Sequence, residues 1–128
     1  MDSIVFGPDL ALGIPVMDQS HRIVFDLLES MQSLARPAFD AACHQLAAEL
    51  AEDLAEENRL MATIQYPLAA THRAAHDGLL ASLDHALCLL AAGDEAGARQ
   101  IVHSLPDWFA AHINTMDLAL AIAASRLE

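Results

Sequence analysis

LAATHRAAHDGLLASLDHALCLLAA, residues 68–92, decides the fold. His72, His76, Leu79, Leu80, Leu83, Leu87 and Leu90 recur there at steps of three and four, the spacing that lines up side chains on one face of an α-helix. Gly93-Asp94 supplies a stop, and Gly78 inside the run is tolerated at about 1 kcal/mol against alanine. The stretch therefore predicts a helix from about Leu68 to Ala92 that buries a leucine stripe and carries two imidazoles inward with it.

The flanking sequence repeats the pattern. Upstream, Leu46, Leu50, Asp53, Leu54, Glu57, Met61 and Ile64 form a stripe that Pro37 can open and Tyr66-Pro67 ends. Before it, His21, Val24, Phe25, Leu28, Met31 and Ala35 mark a first helix starting near Asp18 and running until Arg36-Pro37. Downstream, Ile101, Leu105, Trp108, Phe109, His112, Met116 and Leu120 mark a fourth, in which Pro106 either kinks the helix or marks a restart after a Ser104 cap. Residues 1–17, with Gly7, Pro8, Gly13 and Pro15, suit an extended N-terminal arm. The expectation is an all-α fold, an antiparallel up-and-down four-helix bundle over residues 18–125 in a single domain spanning 1–128, without internal repeats.

Composition agrees. At 128 residues the chain is long enough for one domain that buries about 68% of its unfolded surface. Its 26 alanines and 20 leucines against five glycines and five prolines favour helix. Six arginines, no lysine and 18 acids give a net charge of −12, so no basic footprint exists for a nucleic-acid backbone. The longest uncharged apolar run, Leu60 to His72, is broken by Pro67 and too short to cross a bilayer. Asp2 precedes the first base, Arg22, which is unlike a signal peptide, and a cytoplasmic location is expected. Cys43 and Cys88 are too few for a disulfide framework and are expected to be small buried apolar groups.

Seven histidines are many for this length. Helical phase puts His44, His85 and His103 half a turn from the apolar stripes, hence toward solvent. His21, His72, His76 and His112 fall on the stripes, with Asp53, Glu57 and Asp117 beside them, so each helix sends at least one donor inward. A buried unpaired carboxylate must protonate, collect hydrogen bonds or find a cation. Imidazoles and carboxylates together are a donor set for first-row metal ions, the acids being able to bridge two of them. His72/His76 and Asp53/Glu57 are each an i, i+4 pair that can grip an ion from one helix face.

Several separate motifs then resemble the hemerythrin family, in particular its single-domain bacterial members, over roughly residues 4–120. Leu12-Gly-Ile-Pro-Val-Met-Asp-Gln-Ser-His21 is similar to the family's arm and first ligand histidine, and Glu57-Asn-Arg-Leu-Met61 to its second-helix signature. Tyr66-Pro67 with His72-x-x-x-His76 resembles its third-helix pair, and Trp108-Phe-Ala-Ala-His112-Ile-x-x-x-Asp117 its closing motif. The last is awkward for an ideal helix, because five steps leave Asp117 about 140° from His112.

The resemblance implies a non-haem di-iron centre with an oxo or hydroxo bridge. His72, His76 and His112 would hold one iron, Glu57 and Asp117 would bridge, and His21 would serve a second iron with an open position for dioxygen. The family's other histidine on that iron falls where this chain has Asp53, shorter and anionic, with Glu49 or Glu56 as alternatives. A third carboxylate lowers the formal charge of the centre by one and favours ferric iron, which implies altered reversibility of oxygen binding; manganese is a second metal that such a harder set suits. The leading expectation is oxygen binding, storage or sensing, with dioxygen or a related small ligand as partner. Phe25, Leu28, Trp108 and Met116 are candidates for shielding the pocket. The alternatives are a di-iron enzyme that activates oxygen or consumes peroxide, and a metal-free bundle kept as a protein interaction module. Ser20-His21 and His103-Ser104 diverge by about 100° on a helix and do not form nucleophilic pairs.

Overall fold

The computed structural model describes residues 10–126. Four helices pack antiparallel: α1 (Pro15–Met31), α2 (Ala38–Thr63), α3 (Ala69–Ala91) and a fourth that runs as α4 (Glu95–His112), a π-helical segment (Ile113–Asp117) and α5 (Leu118–Ser125). No strand occurs among the described residues. None of the helices is long and apolar enough to cross a membrane.

The boundaries follow from local chemistry. α1 starts three residues before Asp18, because Pro15 sits in the first turn with its φ already helical and no N–H to satisfy. Asp18 acts differently from the expected helix start. Its carboxylate accepts from the N–H groups of Leu12 at 2.8 Å and Gly13 at 3.1 Å, pinning the preceding chain against the helix. The expected extended arm therefore loses residues 15–17 to α1, and residues 1–9 lie outside the described residues. α1 also ends at Met31, leaving Ala35 exposed outside the helix rather than on its buried face. At the other end of α3, Gly93 takes φ 85°, a conformation that costs glycine little. Asp94 then caps α4 by accepting from Gly97 N–H at 2.9 Å. The choice left open at Pro106 is decided: α4 is continuous through it, and Ser104 Oγ donates back to Ile101 C=O at 2.6 Å instead of capping a new helix.

The core lies along the bundle axis, with Phe25, Leu28, Met31, Phe39, Leu46, Leu50 and Ile113 almost fully removed from water. Each such side chain contributes about 1.5–3 kcal/mol of transfer free energy. Arg99 closes one end: it donates to Leu34 C=O at 2.6 Å and Glu95 at 2.7 Å, with its guanidinium 4.0 Å over the Phe39 ring. His44, His85 and His103 are exposed, as their phase requires. Cys43 is buried, but Cys88 is exposed, a correction to the expectation for that residue; it occupies an outward position of α3 that the leucine stripe leaves free.

Candidate metal centre

Six histidine and acidic side chains are buried among the described residues: His21, Glu57, His72, His76, His112 and Asp117. An amphipathic stripe places each of the first five. α1 carries His21 among Met17, Val24 and Phe25, α2 carries Glu57 between Leu54 and Met61, and α3 carries His72 and His76 one turn apart. Asp117 needs a further device. In a regular α-helix it would point away from His112, but the π-helical segment Ile113–Asp117 uses i→i+5 hydrogen bonds and so spends an extra residue on the turn. Asp117 then returns to the face of His112, whose Nε2 lies 3.1 Å from its Oδ1.

The two carboxylates are placed alike. Glu57 Oε1 lies 3.3 Å from His72 Nε2 and 3.2 Å from His76 Nε2, while Oε2 turns toward His21 Nε2 at 3.7 Å. Asp117 Oδ1 lies 3.0 Å from His72 Nε2 and 3.1 Å from His112 Nε2, while Oδ2 lies 3.1 Å from His21 Nε2. Each acid thus gives one oxygen to the three-histidine side and the other to His21. One donor atom from each of Glu57, His72, His76, His112 and Asp117 falls within 4.8 Å of all the others.

These atoms fit a cation better than they fit one another. Glu57 Oε1, His76 Nε2 and His112 Nε2 are sealed from solvent and make no hydrogen bond, although nitrogen and carboxylate oxygen atoms lie within 3.3 Å of one another. Buried polar atoms left in this way are costly unless something else satisfies them. Imidazole nitrogens and carboxylate oxygens converging on a common centre are the donors that first-row divalent and trivalent ions take. Without an ion, protons balance the charges. Burial alone would lower the His21 and His72 pKa values, but their contacts with Asp117 and Glu57 outweigh it and raise both to about 9. Burial opposes ionisation of Glu57 and Asp117 in turn, yet the surrounding histidines hold Glu57 at about 2 and Asp117 well below the usual carboxylate range.

Asp53 stands outside the five-residue group. It is half-buried one turn before Glu57 and lines, with Val16, Met17, Ser20, Glu56, Glu57 and Leu60, a cavity of about 150 Å3 between α1 and α2. Its Oδ2 is sealed from solvent without a hydrogen-bond partner. Burial and then the charge of Glu49 push its carboxyl up to about 7, with Ser20 opposing the shift. Of the proposed shielding residues, Phe25 and Leu28 are buried in the core and Met116 lines a second cavity beside His72. Trp108 stacks on the His112 ring, 4.7 Å between centroids and 13° from parallel. Asn58 was not singled out from the sequence, since its phase is off the stripe; its Oδ1 lies 3.0 Å from His76 Nδ1.

Comparison with known proteins agrees with this geometry. The hemerythrin HHE cation-binding domain matches residues 12–121, a span that contains all six of these buried histidines and acids. The chain belongs to the hemerythrin family. A bacteriohemerythrin of Ralstonia nicotianae is 32% identical over 117 residues, covering 91% of this chain and 85% of that protein. A bacteriohemerythrin of Stenotrophomonas maltophilia is 26% identical over 125 residues, covering 94% of this chain and 81% of its own length. No solved structure gives a significant match. This hemerythrin is accordingly a bacteriohemerythrin-like cation-binding protein with a histidine, glutamate and aspartate metal site.

Proposed function

We propose that this hemerythrin holds two non-haem iron ions and binds dioxygen or a related small ligand at the His21 side of the centre. His72, His76 and His112 would hold one ion, and Glu57 and Asp117 would bridge. His21, with Asp53 from the lining of the neighbouring cavity, would serve the second. The observation that carries the reading is the division of each carboxylate, one oxygen toward the three histidines and one toward His21, the disposition that two adjacent ions require. Bound iron supplies the reversible change of oxidation state on which oxygen binding depends. The residues supply the rest: three histidines saturate one side, whereas the His21 side has fewer donors and adjoins a cavity large enough for a diatomic ligand.

Asp53 makes the oxidised state of such a centre easier to reach, because an anion beside it offsets positive charge. The expected consequence is less reversible binding. Iron-loaded, reduced protein mixed with oxygen in a stopped-flow instrument tests this. Its oxygen-dependent visible absorption should fade faster than that of Asp53→His. Absorption that persists, with intact dioxygen recovered on lowering the pressure, would contradict the role given to Asp53.

A further inference from the structure

Glu57 and Asn58 are consecutive on α2, and together they meet both nitrogens of one imidazole. His76 Nε2 lies 3.2 Å from Glu57 Oε1, and His76 Nδ1 lies 3.0 Å from Asn58 Oδ1. A neutral imidazole carries one N–H, and an amide oxygen can only accept. In a neutral His76, a contact with the Asn58 oxygen places the proton on Nδ1 and leaves the lone pair of Nε2 facing the carboxylate. Neither Nε2 nor Glu57 Oε1 has a hydrogen bond, as expected of two donor atoms arranged for an ion between them.

We propose that Asn58 is a positioning residue of the metal centre: its side-chain carbonyl holds His76 in the Nδ1–H form, so that Nε2 is presented as a ligand. The inference rests on the metal-centre reading above and adds to it the residue that prepares one ligand before any ion arrives. The three rings of the histidine side are held by three different means. His72 Nε2 engages Asp117 Oδ1 at 3.0 Å, His112 lies flat against Trp108, and His76 is held by Asn58. Loss of Asn58 should thus disturb His76 in particular. An amide suits this place because it accepts the ring proton without adding a charge to a site that already holds Glu57 and Asp117. Turned over, the same amide would donate to Nδ1 and force the proton onto Nε2, toward Glu57; that closed arrangement is the one the proposal excludes.

The test is made on metal-free protein with 15N-labelled imidazoles, by NMR at a pH well above the ordinary histidine range, followed by cobalt(II) titration. Wild type should show His76 as the Nδ1–H tautomer. Asn58→Leu should lose that preference and bind cobalt about 10–100-fold more weakly, the usual effect of removing such an outer partner, with its helical circular dichroism unchanged. Asn58→Asp, which keeps an acceptor, should retain the tautomer and bind cobalt at least as tightly as wild type; this variant decides the matter should the leucine variant fail to fold. An Nε2–H tautomer in wild type, or an Asn58→Leu protein with wild-type tautomer and affinity, would overturn the proposal alone. A wild type that takes up no cobalt would overturn the metal-centre reading and this inference with it.

Discussion

Asp117 meets His72, His112 and His21 within 3.1 Å while being 1% exposed. Removing it takes an oxygen from both sides of the centre at once, so Asp117→Ala should abolish uptake at both positions, whereas His21→Ala should spare the three-histidine side. Cobalt stoichiometry separates the two outcomes. The same contacts set a pH dependence. His21 and His72, raised from 6.5 to about 9, stabilise the metal-free fold fully below pH 6.5, and this is lost as pH rises through 9. Glu57, lowered from 4.5 to about 2, and Asp117, also lowered, stabilise it above the normal carboxylate range, and this is lost as pH falls through the folded values. Asp53, raised from 3.8 to about 7, works against stability progressively as pH rises from the ordinary carboxylate range, and that cost is fully present above about 7. Metal-free protein should accordingly be most stable in mildly acidic solution, while metal uptake, which needs bare imidazole nitrogens, should strengthen with pH and release protons. Calorimetry in two buffers of different ionisation enthalpy measures that release. Uptake without protons, equally tight at pH 6 and 8, would contradict the charge balance described here.

Helix ends were legible where the sequence names them chemically. Tyr66-Pro67, Arg36-Pro37 and Gly93-Asp94 mark breaks that the structure keeps. The start expected near Asp18 lies three residues late, because Pro15 opens the helix while the Asp18 carboxylate accepts from the chain behind it. The phase of the stripes separated the three exposed histidines from the four buried ones without error. Phase failed at Asp117, since a periodicity of 3.6 contains no wide turn; the five-residue gap after His112 was the sole trace of the π-helical segment in the sequence. Phase also put Asp53 on the stripe of α2, although it is only half-buried and borders a cavity instead of joining the five converging donors. Asn58 lies within the Glu57–Met61 motif, but its contact with His76 left no trace in the periodicity, because a residue that acts on another helix through one hydrogen bond obeys none. One element carries its own prediction: Asp94→Ala removes the cap of α4 and should lower stability by about 1 kcal/mol in denaturant titration, with metal uptake unaffected.

Among the described residues, four imidazoles and two carboxylates lie buried inside a largely apolar bundle. Such an interior opposes folding unless its charges are shared, and an ion bound only by the folded state adds stability by mass action. Free metal at about 100 times Kd contributes about 2.7 kcal/mol. For a domain of this size that corresponds to a rise in Tm of roughly 10 °C, which a chelator should reverse. Replacing His72 and His76 together by leucine should abolish the metal-dependent rise. The most direct measurement is a crystal structure of iron-loaded protein with anomalous scattering recorded at the iron edge. Two peaks are predicted, one among His72, His76 and His112 and one beside His21, with Glu57 and Asp117 between them. An interior free of anomalous signal, with each histidine closed onto a carboxylate, would contradict the account.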